Sequence, residues 1–245
     1  MSNNSSGWKV ITNKKRQKKK SPKNVVVDDD FENIVNDINN NNSKVDGRVN
    51  TQVNIQVNTQ VNTQENDQVD NHQTNDQVDN NQDNGDSLLL NYEYDLWIHD
   101  ITSKDWSING YKKLCAIKTV SHFWKLFNNL TKLGIKFNNL FLMRSGTDPT
   151  WEHVNNRNGG VCSFKIELDR SLPVFEDLCI HMVCGKLNHE DNDINGISIS
   201  PRNTWALIKI WNKNKKNDLT LTLNKDIMIK YHDLSIKYKT NEPEY

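Results

Sequence analysis

The sequence predicts an α+β domain built on a single antiparallel sheet and preceded by a disordered tail. From Ser87 onward, short runs of alternating apolar and polar residues are separated by turn residues, which is typical of strands. Helical patterns are too few to follow each strand, so the βαβ units of a parallel sheet are excluded. The apolar share of 35% is low for a globular chain, and nearly all tryptophans follow residue 86. We therefore place one domain at residues 87–245 and a tail at residues 1–86.

The tail has two parts. Residues 9–23 form a basic cluster, which is typical of a nuclear localisation signal or an RNA-contacting arm and equally of a solvated charge run. Residues 49–62 repeat the unit VNTQ and are followed by an Asn/Gln/Asp-rich stretch up to Asp86. The unit is far shorter than the roughly 20 to 50 residues of stacked repeat folds. Disorder is therefore favoured over a solenoid.

The strands and helices of the domain follow from residue periodicity. The expected strands cover residues 92–98, 112–118, 140–144, about 161–168, 194–200 and 204–211. A first helix is expected at 119–133, where Thr119 is the cap and Val120, Phe123, Phe127 and Leu130 form an apolar stripe. A second helix is expected at 171–184. Residues 218–230 fit either a third helix or a strand.

Charge and cysteine content limit the function classes. The formal net charge is +0, with 10 basic and 13 acidic residues before residue 87 and a small basic excess after it. Duplex-binding proteins carry a stronger basic stripe, so we expect any nucleic-acid contact to be local. The four cysteines form no C-x-x-C pair, so we expect free thiols and no metal or cofactor. Since no apolar run suits a signal peptide or a membrane span, we expect a cytoplasmic protein, with the basic cluster leaving a nuclear fraction open.

Two polar loops each carry a tryptophan, although a large apolar ring is unexpected in such a loop unless something covers it. Trp106 lies in SKDWS between two expected strands, and Trp151 is followed by Glu152 in a long loop that ends at Gly159-Gly160. One interpretation is that both rings pack on the core as plugs. The other is a ligand clamp, because two indole faces attract a cationic base and a carboxylate accepts two adjacent N–H groups of a purine edge.

The domain resembles the translation initiation factor 4E family over about residues 90–238. The motifs that carry the resemblance are YDLWIHD, SKDWS, TVSHFW, DPTWEHVNNRNGG, INGISISPR and IKIWN, in this order. The resemblance implies a curved sheet of about eight strands with about three helices on its convex face. It also implies that the concave face binds the 7-methylguanosine cap of messenger RNA. No glycine-rich cofactor loop or nucleophile motif suggests catalysis, so no catalytic residues are expected.

The family motifs assign roles to individual residues. Trp106 and Trp151 resemble the stacking pair, Glu152 the carboxylate that reads the guanine edge, and Arg202 the phosphate-binding arginine. The chain departs from the family at Val161 and Leu207, where cations are usual. We expect Lys209 or Arg157 to help Arg202 instead, and the nearby lysines are further candidates: Lys213, Lys215 and Lys216.

A second surface is implied on the helical side. Trp124 resembles the family tryptophan that packs against a helix of the scaffold subunit, with three neighbours: Val120, Asp177 and Ile180. An aromatic anchor beside aliphatic residues suits helix-in-groove recognition. The alternative is a core tryptophan, but Trp124 falls just off the apolar stripe of the first helix. We expect the protein to be a monomer outside the complex and to start translation by recruiting the scaffold subunit. The alternative is a homologue that represses translation or sequesters caps, which the sequence does not distinguish.

Overall fold

A computed structural model describes residues 29–46, 88–189 and 193–242, with side chains from residue 30 to 42 in the first range. Seven strands form one sheet in the order β2-β1-β3-β5-β6-β4-β7, and all neighbours are antiparallel. The strands are β1 (Leu89–Asp100), β2 (Tyr111–Thr119), β3 (Asn138–Arg144), β4 (Gly160–Glu167), β5 (Ile194–Pro201), β6 (Trp205–Asn212) and β7 (Ser235–Thr240). The prediction of a single antiparallel sheet with helices is confirmed. Within the described ranges the sheet has seven strands instead of about eight.

Residue periodicity did not identify β7. Its six residues alternate between half-buried and exposed side chains, and none of them is fully buried. Such a strand has a weak apolar signal, because it lies at the edge of the sheet and pairs only with β4. Strand β7 thus forms one edge of the sheet.

The helices are α1 (Asp29–Asp46), α2 (Val120–Phe127), α3 (Leu168–Val183), α4 (Leu219–Thr222) and α5 (Lys225–Lys230). The helix expected at 119–133 begins as predicted, with the Thr119 hydroxyl accepting from the His122 N–H at 3.1 Å. It stops at Phe127 and continues as a 3-10 turn, Leu130–Leu133. The Asn129 side chain donates to the Lys125 carbonyl at 2.8 Å, so it competes with the helical backbone there.

The segment 218–230 is two short helices, which resolves the ambiguity of its sequence. Each helix begins at a side-chain cap: Asp218 accepts from the Thr220 N–H, and Asn224 accepts from the Asp226 N–H, both at 2.9 Å. Asn224 therefore interrupts what would otherwise be one helix, because its side chain caps the second segment. The helix expected at 171–184 is α3, which begins three residues earlier, at Leu168.

Helix α1 corrects the prediction that residues 1–86 are disordered. It covers 18 residues, and three apolar side chains at helical spacing join the main core: Phe31, Val35 and Ile38. These few apolar residues lie among Asn and Asp, so the average composition of residues 1–86 did not indicate a helix here. The prediction was wrong for this helix. The rest of the tail, residues 1–28 and 47–86, lies outside the described residues, as do the basic cluster and the VNTQ repeats.

The other contacts of α1 protect an edge of the sheet. Strand β2 is an edge strand, so its outer carbonyls lack a strand partner. The side-chain amides of Asn39 and Asn42 donate to the carbonyls of Leu114 and Ala116 at 3.2 and 2.8 Å. Helix α1 therefore covers this edge with hydrogen bonds as well as apolar packing.

The helices cover one face of the sheet and leave the other open. Cys162, Phe164 and Ile166 on β4 belong to the main core on the helix-covered face. Cys115 and Cys179 are also buried there, Cys184 is exposed, and all four cysteines are free thiols. Within the described ranges, no helix is long and apolar enough to cross a bilayer, and no group of three His, Cys, Asp or Glu could hold a metal.

Candidate functional site

The open face of the sheet carries a second apolar cluster. We call it the aromatic floor, and it consists of Phe141, Met143 and Trp211 with the partly buried Trp97, Tyr111 and Val161. The Trp211 indole N–H donates to the Ser198 hydroxyl at 3.0 Å, which fixes the ring on the sheet. Periodicity had not indicated this cluster. The available signal in the sequence was the continuous apolar run at residues 140–143, which is typical of a strand that is covered on both faces. In the structure all seven residues of β3 are buried.

Trp106 stands at the edge of this floor. Its ring stacks on His99, with centroids 4.2 Å apart and an interplanar angle of 14°, and meets Tyr111 edge-on at 6.3 Å. The indole remains 52% exposed. One of its faces is therefore supported by a buried ring while the other is accessible to a flat ligand.

The loop that carries Trp106 is held by short-range hydrogen bonds. The Asp105 carboxylate accepts from the Ser107 hydroxyl at 2.6 Å and from its N–H at 2.9 Å, and these bonds lower the pKa of Asp105. The Asp105 carbonyl contacts His99 Nε2 at 2.8 Å. A side chain at Gly110 would collide with the same carbonyl, since its Cβ would lie 1.9 Å from that oxygen. The loop conformation thus couples Trp106 to the His99 ring beneath it.

Trp151 and Glu152 occupy the loop between β3 and β4. The Trp151 ring is 40% exposed, and Glu152 is also exposed. The pKa of Tyr111 is raised, first by burial and second by the negative charge of Glu152. Glu152 therefore lies within electrostatic range of Tyr111, the residue that also contacts Trp106. Tyr111 is thus the residue that links the two predictions, since it borders the Trp106 ring and responds to the charge of Glu152.

A buried asparagine braces the Trp151 loop. The Asn156 side-chain amide donates to the carbonyls of Asp148 and Thr150 at 2.9 and 2.7 Å, and its oxygen accepts from Asn195 on β5 at 2.9 Å. Asn156 is fully buried. The loop is long but hydrogen bonded to the sheet, so the exposed Trp151 is carried by an ordered support.

Arg202 and Lys209 form the cationic part of the site. Arg202 is exposed in the β5–β6 turn, where its guanidinium donates to the Pro201 carbonyl at 2.7 Å. Lys209 is half-buried on β6, and its pKa is lowered by burial, then by the positive charges of Arg202 and Lys239. The predicted cations Arg202 and Lys209 are therefore close enough to repel each other. Lys239 joins them and was not indicated by the sequence.

Arg202 also shares a cavity with Trp106. The cavity is about 410 Å³ in volume and is lined by residues that include Trp106, Lys136 and Arg202. A stacking surface and a guanidinium thus border one space, as a ligand with both a base and a phosphate requires. Arg157 has an exposed side chain in the Trp151 loop and is not among the charges that affect Lys209.

The two departures from the family pattern have structural roles. Val161 packs against the aromatic floor, directly opposite Trp211 on β6. Leu207 lies opposite Lys165 on β4 and Ser200 on β5, and it is half-buried. Both positions are thus apolar parts of the open face. Among the other lysine candidates, Lys215 lies 3.6 Å from Glu242 in an exposed ion pair.

The predicted partner surface lies on the opposite side of the sheet. The Trp124 ring on α2 is 40% exposed and meets Phe123 edge-on at 5.4 Å. The next residue, Lys125, pairs with Asp37 of α1 at 2.9 Å. Adjacent helical residues point about 100° apart, so this ion pair lies on a different flank of α2 from Trp124. Helix α1 therefore leaves the Trp124 ring accessible.

The remaining predicted partner residues differ in their surroundings. Val120 and Ile180 are half-buried. The Asp177 carboxylate accepts from Lys230 at 2.8 Å and from the Tyr231 hydroxyl at 2.5 Å. Burial opposes ionisation of Asp177, but these hydrogen bonds outweigh it and lower its pKa. Asp177 thus ties α3 to α5, and its role in partner binding stays a prediction.

Comparison with known proteins places these features in one family. The family profile described as Eukaryotic initiation factor 4E matches residues 89–244. The translation initiation factor NCBP of Triticum aestivum is 27% identical over 137 residues, which are 54% of this chain and 59% of that protein. Initiation factor 4E of Dictyostelium discoideum is 28% identical over 128 residues, 51% and 50% of the two chains. The chain thus spans little more than half the length of these curated relatives.

Solved structures share the fold. The eIF4E-3 of Caenorhabditis elegans, solved with the 4E-binding protein Mextli and a cap analog, has a TM-score of 0.55 at 19% identity, covering 62% of this chain and 92% of that one. The Ascaris suum eIF4E-3 with an m2,2,7G cap has a TM-score of 0.55 at 20% identity, covering 64% and 93%. At these identities the similarity establishes a common architecture.

Proposed function

Because the chain belongs to the eukaryotic initiation factor 4E family, we propose that it binds the 7-methylguanosine cap of messenger RNA on the open face of its sheet. The observation that carries the proposal is the half-exposed Trp106 ring, which stacks on His99 and meets Tyr111 edge-on. A ring that is supported on one side and open on the other is suited to stack on a base. We assign Trp151 as the second ring of the clamp.

The chemistry of these residues selects a methylated guanine. Methylation at N7 makes the base cationic, so each indole adds a cation–π attraction of about 0.5 to 2 kcal/mol to ordinary stacking. Base–aromatic stacking itself contributes about 1 to 3 kcal/mol per base. The Glu152 carboxylate can accept both N–H groups on the guanine edge. An unmethylated guanine loses the charge-dependent part of this recognition.

The phosphates of the cap would lie over the cationic part of the site. Arg202 has a guanidinium whose planar donors suit phosphate oxygens. Lys209 is half-buried beside it, and its positive charge is disfavoured by burial and by neighbouring cations. A bound polyphosphate removes that disadvantage, because it supplies the negative charge that these side chains lack. Arg157 stays a candidate for an additional contact from the Trp151 loop.

A cap column tests the binding proposal. The wild-type protein should bind immobilised 7-methylguanosine and elute with the methylated nucleotide but not with plain guanosine nucleotide. Trp106→Ala and Trp151→Ala should each lose roughly tenfold or more in affinity. Trp124→Ala is the matched control, since its ring is as exposed as Trp151 but lies on the helical side. Equal elution by the methylated and unmethylated nucleotides would contradict the proposal.

We also propose that the Trp124 surface binds a helix of a scaffold subunit of the initiation complex. The supporting observation is that Trp124 presents a 40% exposed indole on α2, on the helix-covered side of the sheet. An exposed aromatic anchor beside half-buried aliphatic side chains, here Val120 and Ile180, is the usual composition of a helix-binding groove.

A pull-down separates the two surfaces. The scaffold subunit should be retained by the wild type and by Trp151→Ala, and lost with Trp124→Ala. The two variants thus serve as reciprocal controls for the cap and partner experiments. Retention of the scaffold by Trp124→Ala would refute the assignment of this surface.

Promotion of initiation and repression by cap sequestering are distinguished by a translation assay. We propose that the protein promotes initiation in the cytoplasm, acts by binding and catalyses no reaction on the cap. Added to a translation extract depleted of its own cap-binding factor, it should raise translation of a capped reporter. A cap-sequestering repressor would instead lower translation of the capped reporter in an undepleted extract. It would not restore translation in the depleted extract. Capped RNA recovered after incubation should be chemically unchanged.

A further inference from the structure

We propose that Lys239 on β7 is a phosphate-binding residue that completes, with Arg202 and Lys209, a three-cation site across strands β6, β4 and β7. The ligand chemistry is a phosphate group, carried either by the triphosphate of the cap or by the RNA chain that follows it. The inference rests on the proposed cap-binding function and assigns a residue that neither periodicity nor the family motifs indicated.

Strand register places Lys239 on the same face as Lys209. On β4, Ser163 lies opposite Lys209 of β6, and Val161 lies opposite Lys239 of β7. Ser163 and Val161 are two residues apart, and side chains at that spacing point to one face of a strand. Neighbouring strands are about 4.8 Å apart, so Lys239 is two strand spacings and one residue pair from Lys209. Two long lysine side chains can approach one ligand across this distance.

Lys239 also borders the aromatic floor. Its cross-strand neighbour Val161 packs against that cluster and lies opposite Trp211. The order across the open face is therefore Trp211, then Val161, then the exposed Lys239. A ligand whose base lies over the floor can extend its phosphates toward the β7 edge. Lys239 is the lysine at that edge whose cross-strand neighbour belongs to the floor.

The electrostatics of Lys209 connect the three cations. Burial lowers the pKa of Lys209, and the charges of Arg202 and Lys239 lower it further. A half-buried lysine beside further positive charges is unfavourable unless an anion compensates it. A phosphate between Lys209 and Lys239 supplies that compensation.

The test compares cap nucleotides with one, two and three phosphates. Each added phosphate should strengthen binding to the wild type. In Lys239→Ala the gain from mono- to triphosphate should shrink by roughly fivefold or more, while affinity for the monophosphate changes little. Lys239→Arg keeps the charge and should restore most of the gain. Lys225→Ala, which removes an exposed lysine on α5, is the control and should leave all affinities unchanged.

The design separates the possible failures. If Lys239→Ala weakens a capped oligonucleotide but not the free triphosphate, the phosphate comes from the RNA chain, and the assignment of Lys239 still holds. Full affinity of Lys239→Ala for both ligands would overturn it, even with cap binding intact. Absence of cap binding by the wild type would instead refute the proposed function. Circular dichroism of each variant checks that the exposed β7 substitution leaves the fold unchanged.

Discussion

The two faces of strand β6 differ in what their side chains do. Ala206, Ile208 and Ile210 are fully buried and pack in the main core under the helices. The intervening residues Leu207 and Lys209 are half-buried on the open face. Because a strand alternates at every residue, stability and binding depend on adjacent positions. Substitutions one residue apart should therefore have different consequences.

The two tryptophan surfaces also lie on opposite sides of the sheet. Trp106 and Trp151 lie in loops on the sheet side that are braced by hydrogen bonds, whereas Trp124 lies on the helical side. Each exposed ring lies on an ordered support, so its loss should change binding without unfolding the domain.

The largest effect is expected on the helix-covered face. Phe164→Ala should lower the free energy of unfolding by about 3 to 5 kcal/mol, because the ring is fully buried and its removal leaves a cavity. The neighbouring Ser163→Ala, on the open face, should change it by about 0.5 kcal/mol or less. Urea unfolding followed by tryptophan fluorescence measures both. Similar losses for the two variants would disprove the separation of stability from binding.

The next largest effect tests whether α1 belongs to that face. Ile38→Ala should destabilise the domain by about 2 to 4 kcal/mol, since Ile38 is fully buried in the main core. Asn36→Ala, exposed on the same helix, is the control and should be nearly neutral. If both variants unfold at the same urea concentration as the wild type, α1 does not contribute to the core in solution.

A smaller effect is expected beneath Trp106. His99→Ala removes the ring on which the indole stacks and should weaken cap binding by roughly fivefold, in line with about 0.5 to 1.5 kcal/mol for an aromatic pair. His99→Phe keeps a ring there and should retain most of the affinity, although it loses the contact with the Asp105 carbonyl. Equal weakening by both variants would show that this polar contact, and not stacking, positions Trp106.

The smallest effect concerns pH. The pKa of Lys209 is lowered by burial and then by Arg202 and Lys239, so Lys209 loses its proton at a lower pH than an ordinary lysine. The charged form binds phosphate, hence triphosphate affinity should fall as pH rises through that pKa. The measured quantity is the ratio of triphosphate to monophosphate affinity from about pH 8 to 10, in which titration of the base cancels. Lys209→Arg should flatten the curve, and an unchanged curve would count against Lys209 as a phosphate ligand.

Local patterns in the sequence were sufficient to predict the strands, the start of one helix and several candidate site residues. Alternation predicted the strands, the scarcity of helical patterns predicted an antiparallel sheet, and the Thr119 cap predicted the start of α2. All three depend on residues close together in the chain. The loop tryptophans and Arg202 came from short motifs. The structure places Trp106 with Arg202 around one cavity and Glu152 near Tyr111.

Other features depended on contacts between distant segments. The stack of His99 under Trp106 depends on how a loop folds back, and the link between Lys239 and Lys209 depends on the register of β7 on β4. Helix α1 has too few apolar residues for its own sequence to indicate burial. Its burial depends on the edge of β2, more than 70 residues away. The sequence by itself determined the faces of strands and helices, since periodicity is a local property. Only the tertiary structure decided which faces meet, because register and docking are selected by packing across the whole domain.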